Sequence, residues 1–165
     1  TPQGTLAGDV VHRLPFALEK CRLLHAGWLY DIGRLAAGAE HDCATGRGPR
    51  SLASALTRRR AGGDREAAPR WDAASHDVAR ILEIAGFYAA AGGLDYAGIP
   101  AGRLGRLDLS RLLTVDRAVL VGEPEPAAAA TAWTITARGR GAVPHDPAAA
   151  VLFRIILPVA AEGSP

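Results

Sequence analysis

The longest apolar pattern lies in the middle of the chain, in the sequence SHDVARILEIAGFYAAAGG at 75–93. Ser75 is a suitable N-cap residue, and the paired glycines at 92 and 93 are typical of a helix end. The apolar residues between these signals cover every direction around the helix axis. A helix that is apolar all round is buried all round. The pattern therefore predicts one buried helix over about 75–92.

Most of the other apolar segments have the pattern of strands. Residues 28–35 (WLYDIGRL) place large side chains on one side at a spacing of two, and 117–122 (RAVLVG) is a short apolar run. Residues 131–138 (TAWTITAR) alternate, and 149–159 (AAVLFRIILPV) is apolar on both faces. The turn-rich segment between the last two predicts a hairpin. Residues 14–24 fit either a helix or a strand.

One long helix combined with a run of antiparallel strands predicts an α+β fold. The simplest architecture that buries such a helix is a hot-dog fold, in which a curved antiparallel sheet wraps around one long central helix. We expect a lead-in at 1–8, a single hot-dog domain over 9–160 and a tail at 161–165.

An arginine-rich segment at about 44–74 interrupts this pattern. It is punctuated by glycine and poor in large apolar residues, so we predict a long loop with a short helical turn at 51–59. The loop is either a solvated insertion or a docking surface for an acidic partner, with the arginine run at 58–60 as its centre. Nucleic acid fits less well, because no aromatic residues are interleaved with the arginines.

Composition narrows the class of protein. The net charge is only +2, which gives no argument for binding nucleic acid. Cys21 and Cys43 have no metal-binding spacing, and two cysteines are too few for a disulfide scaffold, so reduced thiols are expected. No run of 18 apolar residues is present. We therefore expect a cytoplasmic protein with no metal, no cofactor and no membrane contact.

Two charged residues stand inside the predicted helix. Arg80 and Glu83 are three positions apart, so they share a helix face. Burying either one alone is costly, so each needs a partner or a wet cleft. Two interpretations are open. The residues form a mutual ion pair at the helix edge, or Glu83 faces a substrate cavity as an acid/base group or hydrogen-bond acceptor.

Several short segments resemble a known family in their content and order. They are VHR at 11–13, AAGAEHD at 36–42, HDVARILEIAGFYAAAGG at 76–93, GIPAGRLGRLDLS at 98–110 and DRAVLVGEPEP at 116–126. In this order the chain, over about residues 10–160, resembles the hot-dog domain of the A-factor synthase family. That family resembles the beta-hydroxyacyl-ACP dehydratases in fold.

The resemblance implies a function in bacterial secondary metabolism. The A-factor synthases build gamma-butyrolactone signals in actinomycetes by transferring a beta-ketoacyl chain from acyl carrier protein to dihydroxyacetone phosphate. The dehydratases remove water from a beta-hydroxyacyl thioester with a histidine and a carboxylate at a dimer interface. On this resemblance the catalytic carboxylate falls on Glu83 and the histidine on His41. His76, at the start of the helix, is a second candidate for the histidine.

The expected function is therefore action on an acyl thioester, as an A-factor-synthase-like transferase or as a relative of the dehydratases and cyclases. The alternative is a non-catalytic hot-dog module that binds an acyl chain or completes a larger complex. Expected partners are acyl carrier protein or a coenzyme A thioester, and a second hot-dog chain in a homodimer or heterodimer. Predicted substrate contacts are His12, Arg13, Trp71, Arg80 and Tyr88.

Overall fold

Seven strands and three short helices make up the regular structure of the described residues. A computed structural model describes residues 5–45, 48–57, 71, 74, 76–113, 116–125 and 152–159. The strands are β1 (Asp9–Val11), β2 (Leu18–His25), β3 (Trp28–Leu35), β4 (Glu40–Asp42), β5 (Arg50–Ser51), β6 (Arg117–Pro124) and β7 (Phe153–Pro158). The helices are α1 (Leu52–Thr57), α2 (Val78–Gly86) and α3 (Leu94–Ala97), and 3-10 turns lie at Gly102–Arg106 and Ser110–Leu112.

The main sheet is antiparallel, with five strands in the order β5-β3-β2-β6-β7. Its centre is the hairpin of β2 and β3, in which His25 pairs with Trp28. Ala26 and Gly27, between them, both have positive φ angles, as a type I′ turn requires. β1 and β4 form a separate two-stranded ladder.

The two faces of the main sheet carry different core clusters. Neighbouring positions on the strands alternate between the faces, so Leu24 and Val119 point to one face while Leu23 and Leu120 point to the other. We call the first the helical face, because helix residues such as Ile84 pack on it. The other is called the second face.

Different segments cover these two faces. On the helical face the core contains Leu52 and Leu56 of α1, Ile84 of α2 and Tyr96 of α3. On the second face the covering residues come from the amino-terminal segment and the β1–β4 ladder. They are Leu6, Val10, Leu14, Phe16, Ala39 and Cys43. The sheet is therefore a middle layer with apolar contacts on both sides.

A β-bulge in β2 sets which side chains reach each face. Between Leu18 and Cys21, β2 has one residue more than β3, and the register with β6 shifts at the same place. Lys20, inside this bulge, has a left-handed φ of 51°. Leu18 and Cys21 consequently share the second face although they are three positions apart.

The predicted hot-dog fold is wrong for this chain. α2 has nine residues, ends at Gly86, and begins after Asp77, whose side chain accepts a hydrogen bond from the Arg80 backbone N–H. It is also not enclosed, because Val78 is 59% exposed. The prediction failed because residues 87–93 form turns after α2 ends. Their apolar side chains were counted as if they lay around the axis of one continuous helix.

Several local predictions are confirmed. β3, β6 and β7 lie on predicted strands, and α1 lies on the predicted short helical turn. The open question at 14–24 is resolved toward a strand, β2. The predicted strand at 131–138, its hairpin and most of the arginine-rich loop, including the run at 58–60, lie outside the described residues. None of the described helices is both long enough and apolar enough to cross a lipid bilayer.

Candidate functional site

A cavity of about 270 Å³ opens between α2 and the helical face of the sheet. Its apolar lining comes from both sides of this contact: Leu24, Leu29, Leu56, Leu82, Phe87, Val121 and Leu152. Charged side chains also line it: Lys20, Arg22, Asp77, Arg80, Glu83, Glu123 and Arg154. The cavity thus combines an apolar interior with several charges of both signs, as ligand sites commonly do.

Glu83 connects the helix to the sheet across this cavity. Its Oε1 accepts a hydrogen bond from Arg22 Nη1 on β2, and its Oε2 accepts one from Arg80 Nη1 at 2.6 Å. The carboxylate is partly buried, with 24% of the side chain exposed. Both oxygens are therefore held by guanidinium donors, which fixes the carboxylate against the cavity wall.

Arg80 is the more deeply buried partner, with 11% of its side chain exposed. Its Nη2 donates to the Leu56 backbone carbonyl of α1 and lies 3.4 Å from Tyr96 Oη. The guanidinium therefore ties α1, α2 and α3 together and orients Glu83 toward Arg22. The ion pair predicted for Arg80 and Glu83 is confirmed, and Glu83 also lines a cavity, so the two interpretations of these residues are compatible.

The bulge in β2 brings two more cations to the cavity. Lys20 and Arg22 both line it, and Lys20 Nζ donates to Glu123 Oε2 at 2.8 Å on β6. A left-handed φ at a residue other than glycine is energetically unfavourable, and such positions often lie near functional sites. The bulge therefore helps to explain why two cations of β2, Lys20 and Arg22, both line the cavity.

Three of the predicted site residues lie on the far side of the sheet from Glu83 or away from the cavity. His41 of β4 pairs with Val10, in the ladder that covers the second face. His12 is buried, its Nε2 donates to the Phe16 carbonyl at 2.7 Å, and Arg13 is exposed. Within one chain the structure does not bring His41 together with Glu83.

The remaining predicted residues lie nearer to α2. His76 is exposed and directly precedes Asp77, the N-cap residue that lines the cavity. Trp71 packs partly buried against the core of the helical face. Tyr88 Oη donates to the Ile99 carbonyl at 2.7 Å. Neither aromatic side chain is part of the described cavity lining.

Sequence reasoning missed Arg22 and Arg154 as site residues. Each is a charged residue in an otherwise apolar strand segment, CRLLH in β2 and FRIIL in β7. A charge at such a position predicts either an exposed strand face or a polar site. That signal was available, but only the bulge and the sheet order place both arginines on one cavity.

The described residues contain no cluster of three or more histidine, cysteine, aspartate or glutamate side chains that could hold a metal ion. Comparison of the chain with protein-family models gives no match, and neither does comparison with curated proteins or with solved structures.

Proposed function

We propose that the protein acts on an acyl thioester and holds the acyl chain in the cavity beside α2. The observation that carries this proposal is the combination of an apolar cavity interior with Glu83 fixed at its wall. The thioester would be linked to acyl carrier protein or to coenzyme A. The reaction would be an acyl transfer, or a proton-transfer reaction of the dehydratase or cyclase kind.

The volume and the apolar lining of the cavity support an acyl chain as ligand. Leu24, Leu29 and Leu56, which line the cavity, are almost completely buried from solvent, and buried Phe87 adds to the apolar lining. Burial of apolar chain carbons against such side chains is favourable by about 0.8 kcal/mol per CH₂ group. A volume of about 270 Å³ suits a short or medium chain rather than a long one.

The charged wall supports a role in the reaction. A carboxylate placed beside a bound acyl chain is a candidate general acid or base, provided that it lies within hydrogen-bond reach of the reacting proton. Glu83 would exchange one of its two guanidinium partners for substrate. Arg22 is the partner suited to leave, because 43% of its side chain is exposed and Arg80 is held by further contacts. His76 is the candidate histidine on the same side.

A second function, binding without catalysis, is favoured by one specific observation. Both oxygens of Glu83 already accept hydrogen bonds from Arg22 and Arg80. In a non-catalytic module these ion pairs would only hold α2 on the sheet and shape the cavity. The chain would then bind an acyl group or complete a larger complex.

The wider expectations follow the same proposal. The protein would function in bacterial secondary metabolism, in the cytoplasm, as an A-factor-synthase-like enzyme. It would pair with a second copy or with a related chain, and β7 would offer the outer strand of the described sheet for that contact. A monomer at micromolar concentration in sedimentation experiments would contradict the pairing.

The test is incubation with a panel of acyl-pantetheine thioesters of different chain length, with and without dihydroxyacetone phosphate, followed by mass spectrometry of the products. Binding is measured separately by thermal shift. The variant is Glu83→Gln, and the matched control is Glu123→Gln, which changes a carboxylate that also lines the cavity but pairs with the exposed Lys20.

We expect turnover by the wild type and by Glu123→Gln, and a fall of about 100-fold or more in Glu83→Gln with thioester binding kept. Binding without product in all three proteins would support the non-catalytic function. An absence of both binding and turnover for the whole panel would overturn the proposal.

A further inference from the structure

We infer that Arg22 and Arg154 form an anion-binding subsite at the cavity, which takes a carboxylate or phosphate group at the end of the bound chain. This inference rests on the proposed function only in that the cavity holds an apolar chain. It adds a charged end group to the ligand class.

The strand register places the two arginines in one row. Arg22 of β2 pairs with Val121 of β6, and Val121 pairs with Arg154 of β7. Residues in such a row point to the same face, and two strand spacings put the outer Cα atoms about 10 Å apart. Both arginine side chains line the cavity with Val121 between them. Two long side chains at this separation can converge on one anion.

Both guanidinium groups have N–H donors that are not used in ion pairs with the described residues. In the part of the chain that the structure describes, no carboxylate lies within ion-pair distance of Arg154, and its Nη1 contacts the Leu107 carbonyl at 3.4 Å. Arg22 contributes Nη1 alone to its ion pair with Glu83. A guanidinium carries five N–H donors in a planar fork that matches carboxylate and phosphate oxygens.

The other cations of the cavity are less suited to this role. Lys20 is paired with Glu123 at 2.8 Å. Arg80 donates to Glu83 and to the Leu56 carbonyl, and it is the most buried of the arginines in ion pairs here. An anion entering from solvent therefore meets Arg154, which is in no ion pair with a described residue, and the Arg22 donors that the ion pair with Glu83 does not use.

The experiment compares matched probes by isothermal titration calorimetry: decanoate, decyl phosphate and uncharged decanol. They share the apolar chain and differ in the end group. The proteins are the wild type, Arg154→Gln and the control Arg117→Gln. Arg117 is exposed on β6, four positions from Val121, and is not part of the described cavity lining. Thermal unfolding of each variant checks that the fold is kept.

We expect the wild type and Arg117→Gln to bind one or both anions at least about tenfold more tightly than decanol, as charge-assisted hydrogen bonds predict. Arg154→Gln should lose most of that preference and keep its affinity for decanol. The stronger of the two anions then identifies the end group as carboxylate or phosphate.

Three results would overturn the inference. Equal binding of anions and decanol by the wild type would remove the subsite and leave the apolar cavity intact. An unchanged preference in Arg154→Gln would place the anion elsewhere. A wild type that binds no probe would overturn both this inference and the acyl-chain function.

Discussion

The two faces of the main sheet are built from the same strands but in different ways. The second face is filled by apolar side chains, and Leu18, Cys21 and Leu23 are each at most 1% exposed. The helical face has a comparable core around Val119 but also holds a cavity and the Arg80 side chain, which is 11% exposed. Among the described residues, the second face is thus packed with apolar side chains, whereas the helical face also has a cavity lined by charged side chains.

This difference separates stability from function. Closely packed apolar side chains stabilise a fold but leave no room for a ligand. Charged side chains that line a cavity are typical of binding and catalytic sites. Changes on the second face should therefore alter mainly the free energy of unfolding, whereas changes at the cavity should also alter ligand binding.

The largest expected effect is truncation of the packed core. Leu23→Ala should lower the free energy of unfolding by about 3 kcal/mol, because it leaves a cavity in a closed core. The matched change Leu82→Ala, at a side chain 37% exposed beside the cavity, should cost less than about 1 kcal/mol. Chemical denaturation of both variants measures the two losses in the free energy of unfolding. Equal losses would contradict the difference proposed between the two faces.

The second effect concerns the ion pairs. Glu83→Ala should lower the free energy of unfolding by about 2 kcal/mol, since it leaves the mostly buried Arg80 guanidinium without its carboxylate. Glu123→Ala, which removes the partner of the exposed Lys20, should cost less than about 1 kcal/mol. Urea denaturation measures the free energy of unfolding of both variants. A smaller loss in Glu83→Ala than in Glu123→Ala would contradict the proposed role of Arg80.

A third comparison replaces one glycine beside the second face and one glycine of α2 with alanine, which adds a methyl group at each position. In Gly122→Ala the new Cβ would lie 3.0 Å from Cys21 Sγ, so we expect a loss of about 1 kcal/mol or more, partly relieved by Cys21→Ala. In Gly86→Ala the new Cβ would meet, among the described residues, only Arg154 Nη1, at 3.6 Å, and a residue near the end of α2 gains helix propensity. Melting temperatures should fall in the first and not in the second.

The smallest expected effect concerns the reactivity of the two cysteine thiols. Burial, together with the neighbouring Glu19 carboxylate, raises the pKa of the Cys21 thiol to about 11, against the opposing effect of a hydrogen bond from the Leu35 backbone. Burial also raises the pKa of Cys43, which is only half-buried. At pH 8 the Cys43→Ser variant, with Cys21 alone, should react with a thiol reagent at least about tenfold more slowly than Cys21→Ser.

The raised pKa of the Cys21 thiol also predicts how the free energy of unfolding depends on pH. Because the pKa of Cys21 is higher in the folded than in the unfolded chain, its contribution is fully present below the ordinary thiol pKa of about 8.5 and is lost as the pH rises toward about 11. Cys43→Ser should therefore lose more stability over that range than the double variant lacking both cysteines. Parallel curves would show that Cys21 is not protected by burial.

The elements themselves were largely predictable, and their arrangement was not. Alternation of apolar residues located β3, and a short apolar run located β6. The same reasoning overextended α2, because the apolar residues of the turns after Gly86 continue its pattern in sequence while leaving its axis in space. For the candidate site, spacing alone identified the pair of Arg80 and Glu83.

The sequence by itself determined these local features, since they depend on residues a few positions apart. Only the tertiary structure decided that Arg22, Glu83 and Arg154 surround one cavity and that His41 lies behind the sheet from it. The physical reason is the strand order and the single extra residue at Lys20. Both follow from contacts between distant segments, and the bulge determines which residues of β2 point toward the helices.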